Sequence, residues 1–366
     1  MTGPRIKFLV ASPHGDVTVD TNRLHLPLEC DPLNTPYAVY FRSIGDFLEK
    51  NGFEQIIGSA STKYGGDVKI EDLSEIIVRT EKHGALYHPA SVEVIIKGTR
   101  LKFGLNVAVS ETGRGWLKKE YEVIKRINSK FNLPYLPGVY LFDDQGAVSF
   151  LLEDWFEEYH EFHLSLTDSG THCIKLWEYG TGDRFLSQKQ SFEIYRQASK
   201  ILTLYYDIND FSQIFPWHHS AGDFIARIED DEVDLRLTTA RQYEPYMVFQ
   251  DSDGLNPILA LFFFFLNLTF KMRLDKLDGV GDTVWAEDFC IDATLRGFFE
   301  ALKMKENLSE GGADFLDLLK SFRTEDLRAT YQSLIDTYSG TADYPVIVAN
   351  LDEHVTALQT TLRNFP

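Results

Sequence analysis

Phe215-Pro-Trp-His-His-Ser-Ala-Gly-Asp-Phe-Ile-Ala-Arg227, continued by the acidic turn Glu229-Asp-Asp-Glu232 and by Val233-Asp-Leu-Arg-Leu237, decides how the rest of the chain is read. Its second half has the pattern of a β-hairpin, with Phe224 to Ile228 and Val233 to Leu237 flanking a polar turn. Its first half crowds two imidazoles and a Gly-Asp corner onto the loop before that hairpin. Loops positioned by a rigid scaffold carry function, so a site is expected here.

Working outward, the residues that follow are helical in period: 255–274, 285–304, about 311–322, 325–338 and 348–363. The first of these contains Ile258-Leu-Ala-Leu-Phe-Phe-Phe-Phe-Leu-Asn-Leu-Thr-Phe270. That run is shorter than the ~20 residues of a membrane span. Lys271 and Arg273 end it, and Pro257 stands where a first helical turn tolerates proline. It reads as a buried core helix, and Phe262 to Phe265 as core. Before the hairpin, Ser187 to Tyr206 is amphipathic, with Phe192, Tyr195, Ser199, Leu202 and Tyr205 on one stripe.

Further upstream the period is that of strands. Ile76 to Thr80, Ala85 to Ile96 and Leu101 to Val109 are separated by the turns Lys82-His-Gly84 and Lys97-Gly98, and Pro89 marks a bulge or edge. A helix over Trp116 to Ile127 follows, then strands Gly138 to Phe142 and Ala147 to Leu152. This predicts a five-stranded antiparallel lobe with one helix over residues 75–155. An acidic, aromatic connector with Trp155, Phe156, Tyr159 and Phe162 leads into a mainly helical part over 156–366, with the hairpin at 215–240. Residues 1–74 read as an N-terminal extension: short strands at Ile6 to Ala11 and Val17 to Val19, a helix from Tyr37 to Phe53, and a polar linker from Ser59 to Asp67. The fold class is α+β.

Charge and cysteine content narrow the function. The 36 basic and 55 acidic residues give a net charge of −19 with no polybasic run, which argues against nucleic acid and against anionic membranes as partners. Three cysteines (Cys30, Cys173, Cys290) without a CxxC argue against a disulfide framework or a structural zinc, and point to a reducing cytoplasm. No secretory signal pattern opens the chain. His160-Glu-Phe-His163 is too short for a two-histidine zinc face on a helix.

The element order and two local patterns resemble the protein-kinase-like fold, of the aminoglycoside phosphotransferase and choline kinase type, over about residues 75 to 340. The resemblance implies a two-lobed protein taking ATP and Mg²⁺ and binding a small molecule in an interlobe cleft. Phosphoryl transfer needs cations around the phosphates and a base near the acceptor. In Val107-Ala-Val-Ser110, Ser110 stands where the family's strand lysine belongs, and Lys102 lies eight residues back on the same strand. Glu120 matches the family's helix glutamate. On the loop, Asp223 takes the place of the metal-binding asparagine and His218 that of the catalytic aspartate. An imidazole can act as a general base near neutral pH, so His218 is either such a base or a packed structural residue. Asp234 is the nearest match to the family's hairpin Mg²⁺ ligand, although Arg236 sits close to the same point. Arg241, Tyr243 and Glu244 either line a ligand site or cap a loop.

The resemblance therefore implies a degenerate site. The leading expectation is a pseudokinase that binds a small molecule or nucleotide. The alternatives are an active small-molecule kinase, with His218 as base and Asp223 and Asp234 as metal ligands, and a non-catalytic scaffold for a protein partner.

Overall fold

Period-two alternation in residues 99–108 sets the layering of the first half of the chain. Phe103, Leu105 and Val107 are buried against one set of partners, whereas Ala108 is buried against another. The computed structural model describes all residues except 1–2, 13–14, 82, 85, 179, 220–221, 248–249, 252–253 and 306–310. It is an α+β protein whose chain divides into two compact units, Met1–Glu157 with Tyr179–Gly182, and Glu158–Glu178 with Asp183–Pro366.

The first unit holds β1 (Arg5–Val10), β2 (Val17–Thr18), α1 (Tyr37–Glu49), α2 (Glu54–Tyr64), β3 (Leu73–Thr80), β4 (Ala90–Ile96), β5 (Thr99–Ala108), α3 (Glu111–Phe131), β6 (Val139–Asp144) and β7 (Ser149–Asp154). The seven strands form one sheet in the order β2-β1-β3-β4-β5-β7-β6. All pairs are antiparallel except β1 with β3, which run parallel from Arg5↔Glu75 to Val10↔Thr80. One face of the sheet buries Tyr40, Ile44, Phe47 and Leu48 of α1, with Phe47 stacked on Phe150 at 4.6 Å. Each such fully buried side chain contributes about 2–3 kcal/mol. The opposite face carries α3, whose Leu117 packs with Ala108 and Leu151.

Three expectations change here. The sheet has seven strands rather than five, because β1 and β2 join it, so residues 1–74 are part of this unit rather than an appendage to it. The expected linker Ser59 to Asp67 is mostly helix α2: Ile56, Ser59 and Ala60 are buried, and Gly65 ends the helix at φ 73° with its N–H on the Ser61 carbonyl. Ala85 to Ile96 becomes a strand only from Ala90, after Pro89. Lys82 and Ala85 lie outside the described residues.

In the second unit, β8 (Glu161–Leu166), β9 (His172–Glu178) and β10 (Gly182–Phe185) form a three-stranded sheet within the segment expected to be a connector. β8 buries four consecutive residues rather than alternate ones, and β10 is only four residues long, so neither shows a period-two pattern. Then come α4 (Gln188–Tyr205), β11 (Ser212–Ile214), β12 (Phe224–Glu229), β13 (Glu232–Leu237), β14 (Tyr243–Pro245), β15 (Gln250–Asp251), β16 (Gly254–Leu255) and α5 (Pro257–Lys271). They are followed by β17 (Leu274–Lys276), β18 (Thr283–Trp285), α6 (Phe289–Met304), α7 (Gly312–Ser321), α8 (Thr324–Ile335) and α9 (Tyr344–Asn364).

Local signals explain several of these boundaries. Ser187 caps α4 in a capping box with Gln190, and the Asn256 side chain caps α5 ahead of Pro257. Helices α4 and α6 approach closely because residue 297 is glycine; a Cβ there would overlap the Arg196 carbonyl. Ser199 Oγ also donates to the Thr294 carbonyl at 2.7 Å. Helix α5 is buried nearly all round, with Phe265 against Phe298 at 4.9 Å. Among the described residues no helix is long and apolar enough to cross a membrane.

Candidate functional site

The expected hairpin is present, register Phe224↔Leu237 to Glu229↔Glu232, and the loop before it sits against α5 and α9. Asp223 closes that loop. It is 1% exposed and bidentate to Arg241, with Nη1–Oδ2 2.9 Å and Nη2–Oδ1 2.7 Å. It also accepts the His218 backbone N–H at 2.9 Å. A bidentate guanidinium pair is among the strongest charge-assisted contacts, so this carboxylate is saturated. It is the anchor of the loop.

His218 is turned toward α9, with Nε2 3.8 Å from Asp343 Oδ1. The same carboxyl group stands 3.8 Å from Lys271 Nζ. The imidazole beside it, opposed by burial and helped by Lys271, holds Asp343 below the usual carboxylate range. Burial pulls Lys271 down from its ordinary value against the pull of Asp343 and Asp223, and its ammonium lies 5.5 Å from the Trp217 ring centroid. His219 is different: it is boxed by Phe162, Tyr195, Trp217 and Phe224, and burial pushes it down to about 4. It is a neutral core residue. Ser220 and Ala221 lie outside the described residues.

Asp234 is not brought to Asp223. Its register partner is Arg227, three rungs along from Phe224, which is about 10 Å of strand. Asp234 is gripped by Arg236, by the Tyr159 hydroxyl at 2.5 Å and by Arg227 at 3.6 Å. Mg²⁺ holds its oxygen ligands at about 2.1 Å, so two carboxylates this far apart and separately engaged do not form one metal site. The expected Asp223–Asp234 pairing is corrected accordingly.

In the first unit, Ser110 does not continue β5. It is the N-cap of α3, its Oγ accepting the Gly113 N–H at 3.0 Å. Lys102 is on β5, buried, 3.5 Å from Glu93 and 5.0 Å from the Trp155 ring centroid. Burial first, then Arg79, lowers its pKa, with Glu93 opposing. Glu120, on α3, is 1% exposed. Asn106 lies on β5 two positions before Ala108, on the α3-facing side. Asn106 Nδ2 donates to Glu153 Oε1 at 2.8 Å. Burial, then Glu120 and Asp154, raise Glu153 well above the ordinary glutamate value.

Sequence reasoning missed Asn106, Glu153, Lys271 and Asp343 and left Arg241 open. Counting back by two from Ala108 would have found Asn106; the others are brought in by tertiary contacts. One further histidine stands out. His163 lies buried on β8, its Nδ1 3.6 Å from Asp275 and its Nε2 3.7 Å from Glu161; these carboxylates outweigh burial and raise it to about 9. Among the described residues no group of three His, Cys, Asp or Glu is placed to hold a metal ion.

The geometry defines an α+β protein with a carboxylate-anchored loop before a hairpin and a cluster of buried polar side chains, Glu120 and Glu153 among them, at α3 and the sheet. No protein-family model and no curated protein matches the sequence.

Proposed function

We propose that this chain is a protein-kinase-like protein, of the aminoglycoside phosphotransferase type, that has become a pseudokinase binding a small molecule or nucleotide without transferring phosphate. The observation that carries this is the Asp223–Arg241 pair. The position from which the family would ligate Mg²⁺ holds a carboxylate already neutralised bidentately by a guanidinium. Asp234 is engaged by Arg236, Arg227 and Tyr159 in the same way. Ser110, where the resemblance expects the cationic lysine, is the N-cap of α3 and supplies no charge. The frame is supported by the run β3-β4-β5-β7-β6 within the sheet, with α3 between β5 and β6, and by the loop and hairpin of the second unit.

A second reading has one observation in its favour. His218 beside Asp343 is an imidazole backed by a carboxylate, the arrangement of a general base, and would suit an active kinase with ATP and Mg²⁺. Thermal shift with ATP, with and without Mg²⁺, separates the readings, because a ligand of the native state raises its stability. The pseudokinase reading expects a shift indifferent to Mg²⁺. A Mg²⁺-dependent shift supports the active kinase instead, and no shift at all leaves a protein-binding scaffold.

A further inference from the structure

The connection between β3 and β4 is held down by α1 and the segment before it, all within the first unit. His83 Nε2 lies 3.1 Å from the Tyr37 hydroxyl. The Tyr40 hydroxyl donates to the His88 carbonyl at 3.0 Å and reaches the Pro89 carbonyl at 3.3 Å. Asp31 accepts the N–H groups of Leu33 and Thr35 at 3.1 and 2.6 Å, which shapes its own loop, and its Oδ1 stands 3.8 Å from His88 Nε2. The two imidazole rings meet edge-on at 5.1 Å, and Tyr37 and Tyr40 close on His83 at 5.6 and 5.7 Å. Both histidines are buried, and the Nδ1 atom of each has no hydrogen-bond partner among the described residues.

This cluster suits neutral imidazoles. Protonated, His88 would still have Asp31 beside it. His83 would have a phenol, a second imidazole and the aromatic edges. The carboxylates acting on the cluster are Asp31 and Glu81, and Glu81 is engaged by Arg79 at 2.9 Å and, more weakly, by Ser91 and Lys102. Glu29 and Arg23 act on Tyr37 in opposite senses. Burying an uncompensated imidazolium is costly, so a protonated His83 favours leaving its place.

We propose that His83 is an acid-operated latch: neutral, it clamps residues 24–40 onto the β3–β4 connection; protonated, it releases them. The latch stands apart from the kinase-like reading. Burial, with His88 second, lowers His83 from 6.5 to about 4. A depressed histidine contributes stability that is complete above its ordinary pKa and lost as pH falls through the folded one, so the window runs from about 6.5 down to about 4. Linkage then makes opening ~30-fold more favourable at pH 5 than at pH 7.5.

The test is hydrogen exchange on the full chain at pH 7.5 and 5.0, corrected for intrinsic exchange, in wild type and His83→Phe. The latch expects protection within 24–40 and 83–89 to fall ~30-fold in wild type relative to the sheet strands, and to fall by much less in the variant, which keeps only His88, itself lowered by burial. Unchanged protection in wild type, an equal loss across the sheet, or the same loss in His83→Phe overturns it. Should the variant fail to fold, NMR titration of the wild-type His83 imidazole decides. A midpoint below pH 5 that tracks opening supports the latch, and one near 6.5 with the segment still closed overturns it.

Discussion

Two sites, one in each unit, handle their carboxylates in opposite ways. In the second, Asp223 meets two guanidinium nitrogens and an amide N–H, and Asp343 meets an ammonium and an imidazole. In the first, Glu153 meets the neutral amide of Asn106, and the charges that act on it, Glu120 and Asp154, share its sign. At the loop, cations offset the desolvation of the carboxylates; at Glu153 no cation does. Asp343 is held below the usual carboxylate range beside its cations, whereas burial and like charges push Glu153 up.

The largest expected effect comes from removing the cation. Arg241→Ala leaves Asp223 buried and unpaired, and should cost about 3–4 kcal/mol in urea unfolding. The double variant with Asp223→Asn should recover at least half of that, because the two residues act as one unit. A single-variant cost under about 1 kcal/mol would break the contrast.

Glu153→Gln probes the other side. A carboxyl whose folded pKa is raised contributes stability that is full below its unfolded value and declines as pH rises toward the folded one. Replacing it with a neutral amide should therefore change little at pH 5 and become stabilising relative to wild type as pH rises to 8. Thermal unfolding at the two pH values checks this, and an equal loss at both would show that Glu153 is held as an ion. The smallest effect sharpens the comparison as a control. Lys189 and Asp231 form an ion pair at 3.0 Å with both side chains 67% exposed, so Lys189→Ala should cost less than about 0.5 kcal/mol.

The parts of the fold that could be read along the chain are those with a local cause. The hairpin from Phe224 to Leu237 alternates cleanly, α1 carries its apolar residues at helical spacing, and α4 begins at a serine with glutamine three residues on. What escaped had no local cause or had a misleading one. Strand β1 is recruited by β3 some seventy residues later, and nothing within Arg5–Val10 announces that partner. The second half of helix α2 looks like a linker because the residues it buries there, Ser59 and Ala60, are small. Ser110 followed three apolar residues of a strand pattern and was placed on that strand. Its serine hydroxyl and the following Glu111 are an N-cap signature, which is the role it has.

The candidate site divides along the same line. His218, Asp223 and Asp234 could be nominated from the loop and hairpin, because residue type and spacing suffice to mark chemistry-capable positions. Their partners could not be. Arg241 reaches Asp223 across 18 residues, and Asp343 comes to His218 from the start of the last helix. By itself the sequence determined the α+β class, the hairpin, most helices and the acidic balance, since these rest on periodicity, capping and composition. Only the tertiary structure decided whether each carboxylate meets a cation, a proton or another carboxylate. That outcome depends on which distant residues share its low-dielectric surroundings, and chain spacing does not encode it.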